Sequence, residues 1–248
     1  MTSSVRIYFS GDLACWTRPE AKVERNSYPV PTPSAARNML DSILWKPEFR
    51  WIVTSIELMR HPRTEVGTVP ALPSTLALKR NELQSTLAPG TVSGWMKDSA
   101  TYQPQSAGAG QGTDGTPRMT TALKNVAVVI EAYPLIFTPV GKDGQINTPK
   151  KYTECLERRA RKGQCRSQPY FGCREFAAEF RLATDKDRPV ALDASLGRML
   201  YDIIFRPEGN RPIFFDATLK NGVLDTRPEQ VLHDASVRDE VLACSSRR

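Results

Sequence analysis

Histidine is nearly absent: His61 and His233 are the only two in 248 residues. A histidine-rich metal site cannot be assembled from them, and a Ser-His or Cys-His nucleophile would have to use one of the pair. His233, within Gln230-Val231-Leu232-His233-Asp234, and His61, just before Pro62, both read as surface histidines rather than as bases. The five cysteines (Cys15, Cys155, Cys165, Cys173 and Cys244) form no Cys-x-x-Cys pair. With no signal-peptide pattern at the N-terminus they read as reduced thiols of a cytoplasmic protein. Long apolar runs are missing too, and none approaches the ~18 residues of a membrane span. Acids are in deficit: 27 Asp and Glu stand against 34 Lys and Arg, a formal charge of +7. Those absences leave a soluble, basic protein with no metal and no cofactor.

What is present is unevenly placed. Between Lys142 and Arg166 there are eight basic residues (Lys142, Lys150, Lys151, Arg158, Arg159, Arg161, Lys162, Arg166) and three acids (Asp143, Glu154, Glu157), a local charge of +5. The chain after Ala183 has ten basic and eleven acidic residues. A focused positive patch is the footprint of a polyanion binder. Charge alone leaves a solvated, Arg-rich helix face equally open.

Residue patterns place this patch on a helix. Thr148 offers an N-cap oxygen, Pro149 suits the first helical position, and Gly163 supplies the stop. Between them Tyr152, Cys155, Leu156 and Ala160 form a narrow apolar stripe, on which Cys155 reads as a core thiol. Thr32-Pro33 opens an earlier helix in the same way, with Ala36, Met39, Leu40, Ile43 and Leu44 on one face and Lys46-Pro47 ending it. Strand character marks Val5 to Ser10 (closed by Gly11-Asp12), Trp51 to Leu58, Met119 to Phe137, and the alternating runs Phe176 to Leu182 and Met199 to Phe205. Phe214 to Leu219 and Val223-Leu224 flank Asn221-Gly222, a hairpin signal because both central residues of a type I′ turn need positive φ. From His61 to about Arg118 the pattern dissolves, and the stretch near 98–117, with Gly108, Gly110, Gly112 and Gly115, reads as a loop insert. It lacks the Lys-Ser/Thr of a phosphate-cradling loop. Glu229 to Leu242 is a weakly helical tail. The order predicts an α+β fold: a ferredoxin-like (RRM-like) βαββαβ domain over 1–183 and an antiparallel β-sheet extension over 184–248.

Lys150 and Lys151 open the basic helix. Clustered cations disfavour protonation of an amine, and the N–H groups of that helix end favour an anion such as phosphate. The pair could hold a phosphodiester and move a proton, or position a phosphate without catalysis. Trp16, Trp45, Trp51 and Trp95 could stack bases, with core packing as the default reading.

Several blocks together resemble one family. They are Gly11 to Glu20, Lys22 to Arg25 with Ser27-Tyr28, Thr32 to Arg37, Trp45-Lys46-Pro47, Arg158 to Cys165, Gly172 to Phe176, Met199 to Ile203, and Phe214-Phe215 through Val223. In this order the chain is similar to the Cas-five-d (Cas-five-c) family of type I-C CRISPR systems, in the RAMP superfamily. The resemblance implies metal-independent cleavage of precursor RNA within the repeat, by attack of the RNA 2′-OH on the adjacent phosphate. A 2′,3′-cyclic phosphate and a 5′-OH result. It implies retention on the 5′ handle of the mature crRNA, other Cascade subunits as partners, and target DNA as a further candidate partner. The family's tyrosine before Trp-Lys-Pro falls at Leu44, and its Lys-His pair at Lys150 and Lys151. Candidate catalytic residues are therefore Lys150, Lys151 and Tyr152. Arg37, Arg158, Arg159, Arg161, Lys162 and Arg166 are the candidate RNA contacts. Because leucine carries no proton, a non-catalytic, handle-binding subunit is the alternative.

Overall fold

The computed structural model describes residues 3–21, 24–64, 71–83, 91–96, 115–141, 144–207 and 209–243. Ten strands and four helices follow one another as β1 (Val5–Ala14), β2 (Arg25–Asn26), α1 (Pro33–Ile43), β3 (Phe49–Met59), β4 (Thr75–Leu83), β5 (Thr91–Met96), β6 (Gly115–Ile136), α2 (Pro149–Arg161), β7 (Glu179–Leu182), β8 (Ala194–Ile204), β9 (Arg211–Lys220), β10 (Val223–Asp225), α3 (Pro228–Val231) and α4 (Ala235–Ala243). All ten strands join one sheet; among the described residues its one parallel pairing is β2 with β6. The fold is mixed α and β around a large antiparallel sheet. Around its centre the strands lie in the order β7-β1-β6-β3, and β3 continues through β10 and β9 to β8.

Both helices form for the local reasons read from the sequence. The Thr32 hydroxyl oxygen accepts from Ala35 N at 3.2 Å and that of Thr148 from Lys151 N at 3.3 Å, with a proline just inside each start. The α1 residues Ala36, Met39, Leu40 and Ile43 are buried, as is Leu44, and so are Tyr152, Leu156 and Ala160 of α2. They share a core with the inward residues of β1, β3 and β6. Helix α1 stops at Ile43, before Lys46-Pro47, because Leu44 is already extended and its carbonyl accepts from the indole N–H of buried Trp51 at 3.0 Å. The run Val126 to Ile130 is buried on both faces: Val126, Val128 and Ile130 face the helices, whereas Ala127 and Val129 meet Tyr8 and Met59 behind the sheet.

Several expectations change. Gly11-Asp12 does not end β1, which runs on to Ala14. A Cβ at position 11 would lie 2.9 Å from a Phe171 ring carbon and 3.0 Å from Ala177 O, so this glycine permits close approach rather than a turn. The stretch after His61 contains β4 and β5, and Gly115 to Arg118 belongs to β6. Those strands exist because β6 is long enough to pair with β1 and β3 along one part and with β4 along another, down to Leu83 against Gly115. The rest of the Gly-rich insert, residues 97–114, lies outside the described residues, as do Lys142 and Cys244. In β8 the alternation of Met199 and Tyr201 breaks at a register shift between Leu200 and Asp202. Beyond it Asp202 and Ile204 are buried while Ile203 is half-buried and Phe205 is 57% exposed. The hairpin is as expected, with Asn221 and Gly222 at φ 49° and 74°.

That shift turns a carboxylate into the interior. Asp202 accepts from Arg37 at 2.6 and 3.0 Å and from Arg50 Nη2, and Arg50 Nη1 donates to Val241 O at 2.9 Å. One acid thus ties α1, β3 and β8 together, and Arg50 adds α4. A second tie joins the helices: Arg159 Nη1 donates to Ile43 O at 2.6 Å, using a carbonyl left over at the end of α1.

Burial pushes the Asp202 pKa upward, but the Arg37 hydrogen bonds and the Arg37 and Arg50 charges outweigh it, so the carboxyl titrates below its ordinary range. Its folded-state pKa being depressed, its contribution is complete above the unfolded value of ~3.9 and is lost as pH falls through the folded one. Asp202→Asn leaves two guanidiniums uncompensated, with an expected loss of about 3–5 kcal/mol at neutral pH. Denaturant titrations of both proteins should show the gap narrowing below about pH 4; a gap constant with pH contradicts the ionised-carboxylate account. Arg159→Ala should cost about 1–3 kcal/mol as a charged hydrogen bond is lost. Arg161→Ala, whose exposed guanidinium meets Glu157 at 3.2 Å, should cost under about 0.5 kcal/mol.

Candidate functional site

A groove of about 630 Å³ opens where the end of α1 meets the start of α2. Its walls include Leu44, Lys46, Lys150, Lys151, Tyr152 and Arg158. The fold therefore brings the position before Trp45-Lys46-Pro47 beside the first turn of α2, across a hundred residues of chain. Among the described residues its walls hold four cations (Lys46, Lys150, Lys151, Arg158) and one carboxylate (Glu154). Lys150 is exposed, and its 3.8 Å pairing with Glu154, itself exposed, is too solvated to hold it. Its ammonium is available to an incoming anion.

Lys151 and Tyr152 meet at one oxygen. Asn147 Oδ1 accepts from the Tyr152 hydroxyl at 2.7 Å and from Lys151 Nζ at 3.2 Å. The Asn147 amide N–H₂ donates to Thr138 O at 2.8 Å, which fixes which end of the amide faces the groove. Tyr152 itself is buried, with its ring 4.2 Å from that of Phe49, which in turn packs edge-on against Trp51 at 5.0 Å. The phenol is thus a fixed part of the groove floor, and Lys151 is held over its edge.

The six arginine and lysine candidates divide. Arg158 and Arg161 are exposed on α2 and Lys162 at its C-cap, and Arg158 lines the groove. Arg166 is exposed beyond the helix, its guanidinium 5.1 Å over the Trp45 ring. Arg37 and Arg159 instead spend their guanidiniums on Asp202 and Ile43 O. Sequence reading missed Asn147, Arg50 and Asp202. Asn147 had a usable signal, standing just before the capped helix start; Asp202 had none, because only the β8 register shift turns it inward.

Elsewhere the candidates fall away from the groove. His233 is exposed as read, but His61 is buried, a correction: its Nδ1 accepts from Arg63 N at 3.2 Å, and burial pushes its pKa down. Trp16 and Trp51 are core residues, whereas Trp45 is half-buried. Cys155 is half-buried and packs against the core; among the described residues, Cys15, Cys155, Cys165 and Cys173 form no disulfide. Among the described residues no three of His, Cys, Asp and Glu converge as metal ligands, and no helix is long and apolar enough to cross a membrane.

Known proteins match over this whole framework. A curated protein of Mannheimia succiniciproducens, called CRISPR pre-crRNA endoribonuclease Cas5d, is 41% identical over 92% of this chain and 96% of its own. One of the same name from Thermus thermophilus is 34% identical over 89% of this chain and 90% of its own. A solved structure called "Crystal Structure of CRISPR-associated Protein" superposes with a TM-score of 0.56 at 20% identity, over 90% of this chain and 91% of that one, a likeness of fold. A family model described as CRISPR-associated protein (Cas_Cas5), of the Cas5d type, matches residues 4–239, and the chain belongs to that family.

Proposed function

We propose that this protein cleaves CRISPR precursor RNA within the repeat, without a metal, and stays on the 5′ handle of the product as a subunit of a type I-C Cascade complex. One observation carries the reading: Leu44, Lys150 and Lys151, the positions that correspond to the family's tyrosine and Lys-His pair, line a single cationic groove. The names of the two relatives, pre-crRNA endoribonucleases, support it. The strand order β7-β1-β6-β3, with α1 between β1 and β3 and α2 between β6 and β7, supports a ferredoxin-like unit over 1–183, with 184–248 as its β-sheet extension.

The reaction needs three services. As the 2′-oxygen bonds to phosphorus its proton must leave, and as the P–O5′ bond breaks the departing oxygen must gain one. The phosphorane between them carries extra negative charge, which fixed cations stabilise. Lys150, solvent-facing at the groove mouth, neutralises the scissile phosphate. Lys151, oriented by Asn147, and Tyr152, on the same oxygen, are the proton carriers. Arg158, Arg161, Lys162 and Arg166 offer backbone contacts, which bring affinity rather than sequence information. Arg37 and Arg159 act through the elements they hold in place.

Leu44 favours a second reading. It is fully buried and apolar where a phenol would stand, so the groove lacks one proton-transferring group. A binding subunit without nuclease activity follows if Lys151 and Tyr152 do not suffice.

Purified protein and repeat RNA in EDTA separate the readings. Cleavage leaving a 2′,3′-cyclic phosphate is expected, falling roughly 10²-fold or more in Lys150→Ala and in Lys151→Ala. Tight binding without cleavage, converted to cleavage by Leu44→Tyr with Lys151→His, establishes the second reading. Failure to bind repeat RNA overturns both.

A further inference from the structure

A second groove, of about 740 Å³, lies on the other side of the Leu44-Trp45-Lys46 segment, with Trp45 rather than Leu44 in its wall. Its chemistry differs from that of the first. Trp45 offers a half-buried indole, covered by the Arg166 guanidinium at 5.1 Å. Arg174 is exposed in this wall, and Tyr170 adds a second, half-buried ring. Asn38 presents an exposed amide from α1, and Asp41 is the one carboxylate among these walls. The groove is also built rather than incidental: Arg166 N and Ser167 N both donate to Ser42 O, at 2.8 and 3.0 Å, which bolts the loop after α2 onto the last turn of α1.

We infer that this groove is a binding subsite for one unpaired nucleotide of the RNA, its base stacked on Trp45 and its phosphate held by Arg166 and Arg174. The inference rests on the RNA-binding reading above and adds a place in which a base is gripped. An indole face takes any base, because every base has a π-face. The Arg166 guanidinium now on that face already shows the surface is accessible to a flat, delocalised partner. On binding, Arg166 leaves the ring for the phosphate, exchanging a cation–π contact for a charge-assisted one, while the base takes its position on the indole. The volume lies within the ~300–1,000 Å³ of small-ligand clefts. An Asn amide can both donate to and accept from a base edge, so Asn38 offers discrimination that Lys150, Arg158 and other phosphate contacts do not. The two grooves share one short segment. A nucleotide seated on Trp45 would therefore fix which phosphate of the strand lies over Lys150 and Lys151.

Equilibrium binding of the full-length protein to a repeat RNA, and to versions of it each with a single abasic nucleotide, tests the subsite. Trp45→Ala should weaken binding roughly ten-fold or more, and Trp45→Phe, which keeps a ring, by much less. One abasic position should weaken the wild type by a similar factor yet cost nothing further in Trp45→Ala, the non-additivity of two partners in one contact. Arg174→Ala, at an exposed position, should weaken binding of every sequence and lower the salt dependence by about one phosphate contact. This arm reads the subsite even if Trp45→Ala lowers stability. Wild-type binding with every abasic loss adding in full to that of Trp45→Ala, or with Arg174→Ala unchanged in affinity, overturns the subsite alone. Absence of wild-type binding overturns the RNA reading on which it rests.

Discussion

Asp202 sits in the interior between two guanidiniums, and the relative placement of everything around the grooves depends on it. An isolated carboxylate there would be expensive to desolvate, and two unpaired arginines more so. Together they satisfy one another: Arg37 from α1 engages both oxygens, Arg50 from β3 engages one, and Ile203 N donates to the other at 2.9 Å. A network like this contributes less to stability than equally well-packed apolar groups would. What it does supply is geometry, because charged, forked donors bond in few orientations. It fixes α1 against β8, and through Val241 O it brings α4 to the same point.

From that fixed α1 the rest of the site follows by short connections. The end of α1 is tied to α2 by Arg159, to the following loop by the Ser42 carbonyl, and to β3 by the Trp51 indole. Phe49 and Tyr152 stack beneath. The first groove is thus walled largely by side chains of the capped α2 start and the end of α1, whereas the second takes Trp45 from the α1–β3 connector and Arg166 to Arg174 from the loop that Ser42 holds in place. The positive charge read in the sequence is consequently not one undifferentiated patch. Some of it faces the groove, some faces solvent along α2, and Arg159 spends its guanidinium on Ile43 O.

Much of this was legible from local chemistry. The two Thr-Pro starts, the apolar stripes on α1 and α2, the Asn221-Gly222 turn and the buried run Val126 to Ile130 are each decided within a few residues, by capping, periodicity or turn conformation. Reading failed where the deciding partner was distant. Strands β4 and β5 have weak patterns of their own and exist through pairing with β6 and with each other. The continuation of β1 past Gly11 depends on Phe171 and Ala177 approaching that glycine. His61 looked exposed because Pro62 follows it, yet it lies under the end of the sheet, 6% exposed.

For the site, the sequence by itself determined the residue types: a lysine pair at a capped helix start, a basic face behind it, a near absence of histidine, and Leu44 where the family has a phenol. Each is a property of composition and short spacing, which folding cannot alter. Only the tertiary structure decided which of these groups meet. It set Lys151 and Tyr152 on the same Asn147 oxygen, placed Leu44 across from them, and split the Trp45 segment between two grooves. It also withdrew Arg37 into an ion pair that no local pattern announces, because Asp202 faces inward only through a one-residue shift in β8. Convergence of distant residues depends on packing and register, and neither is written in the spacing of any one segment.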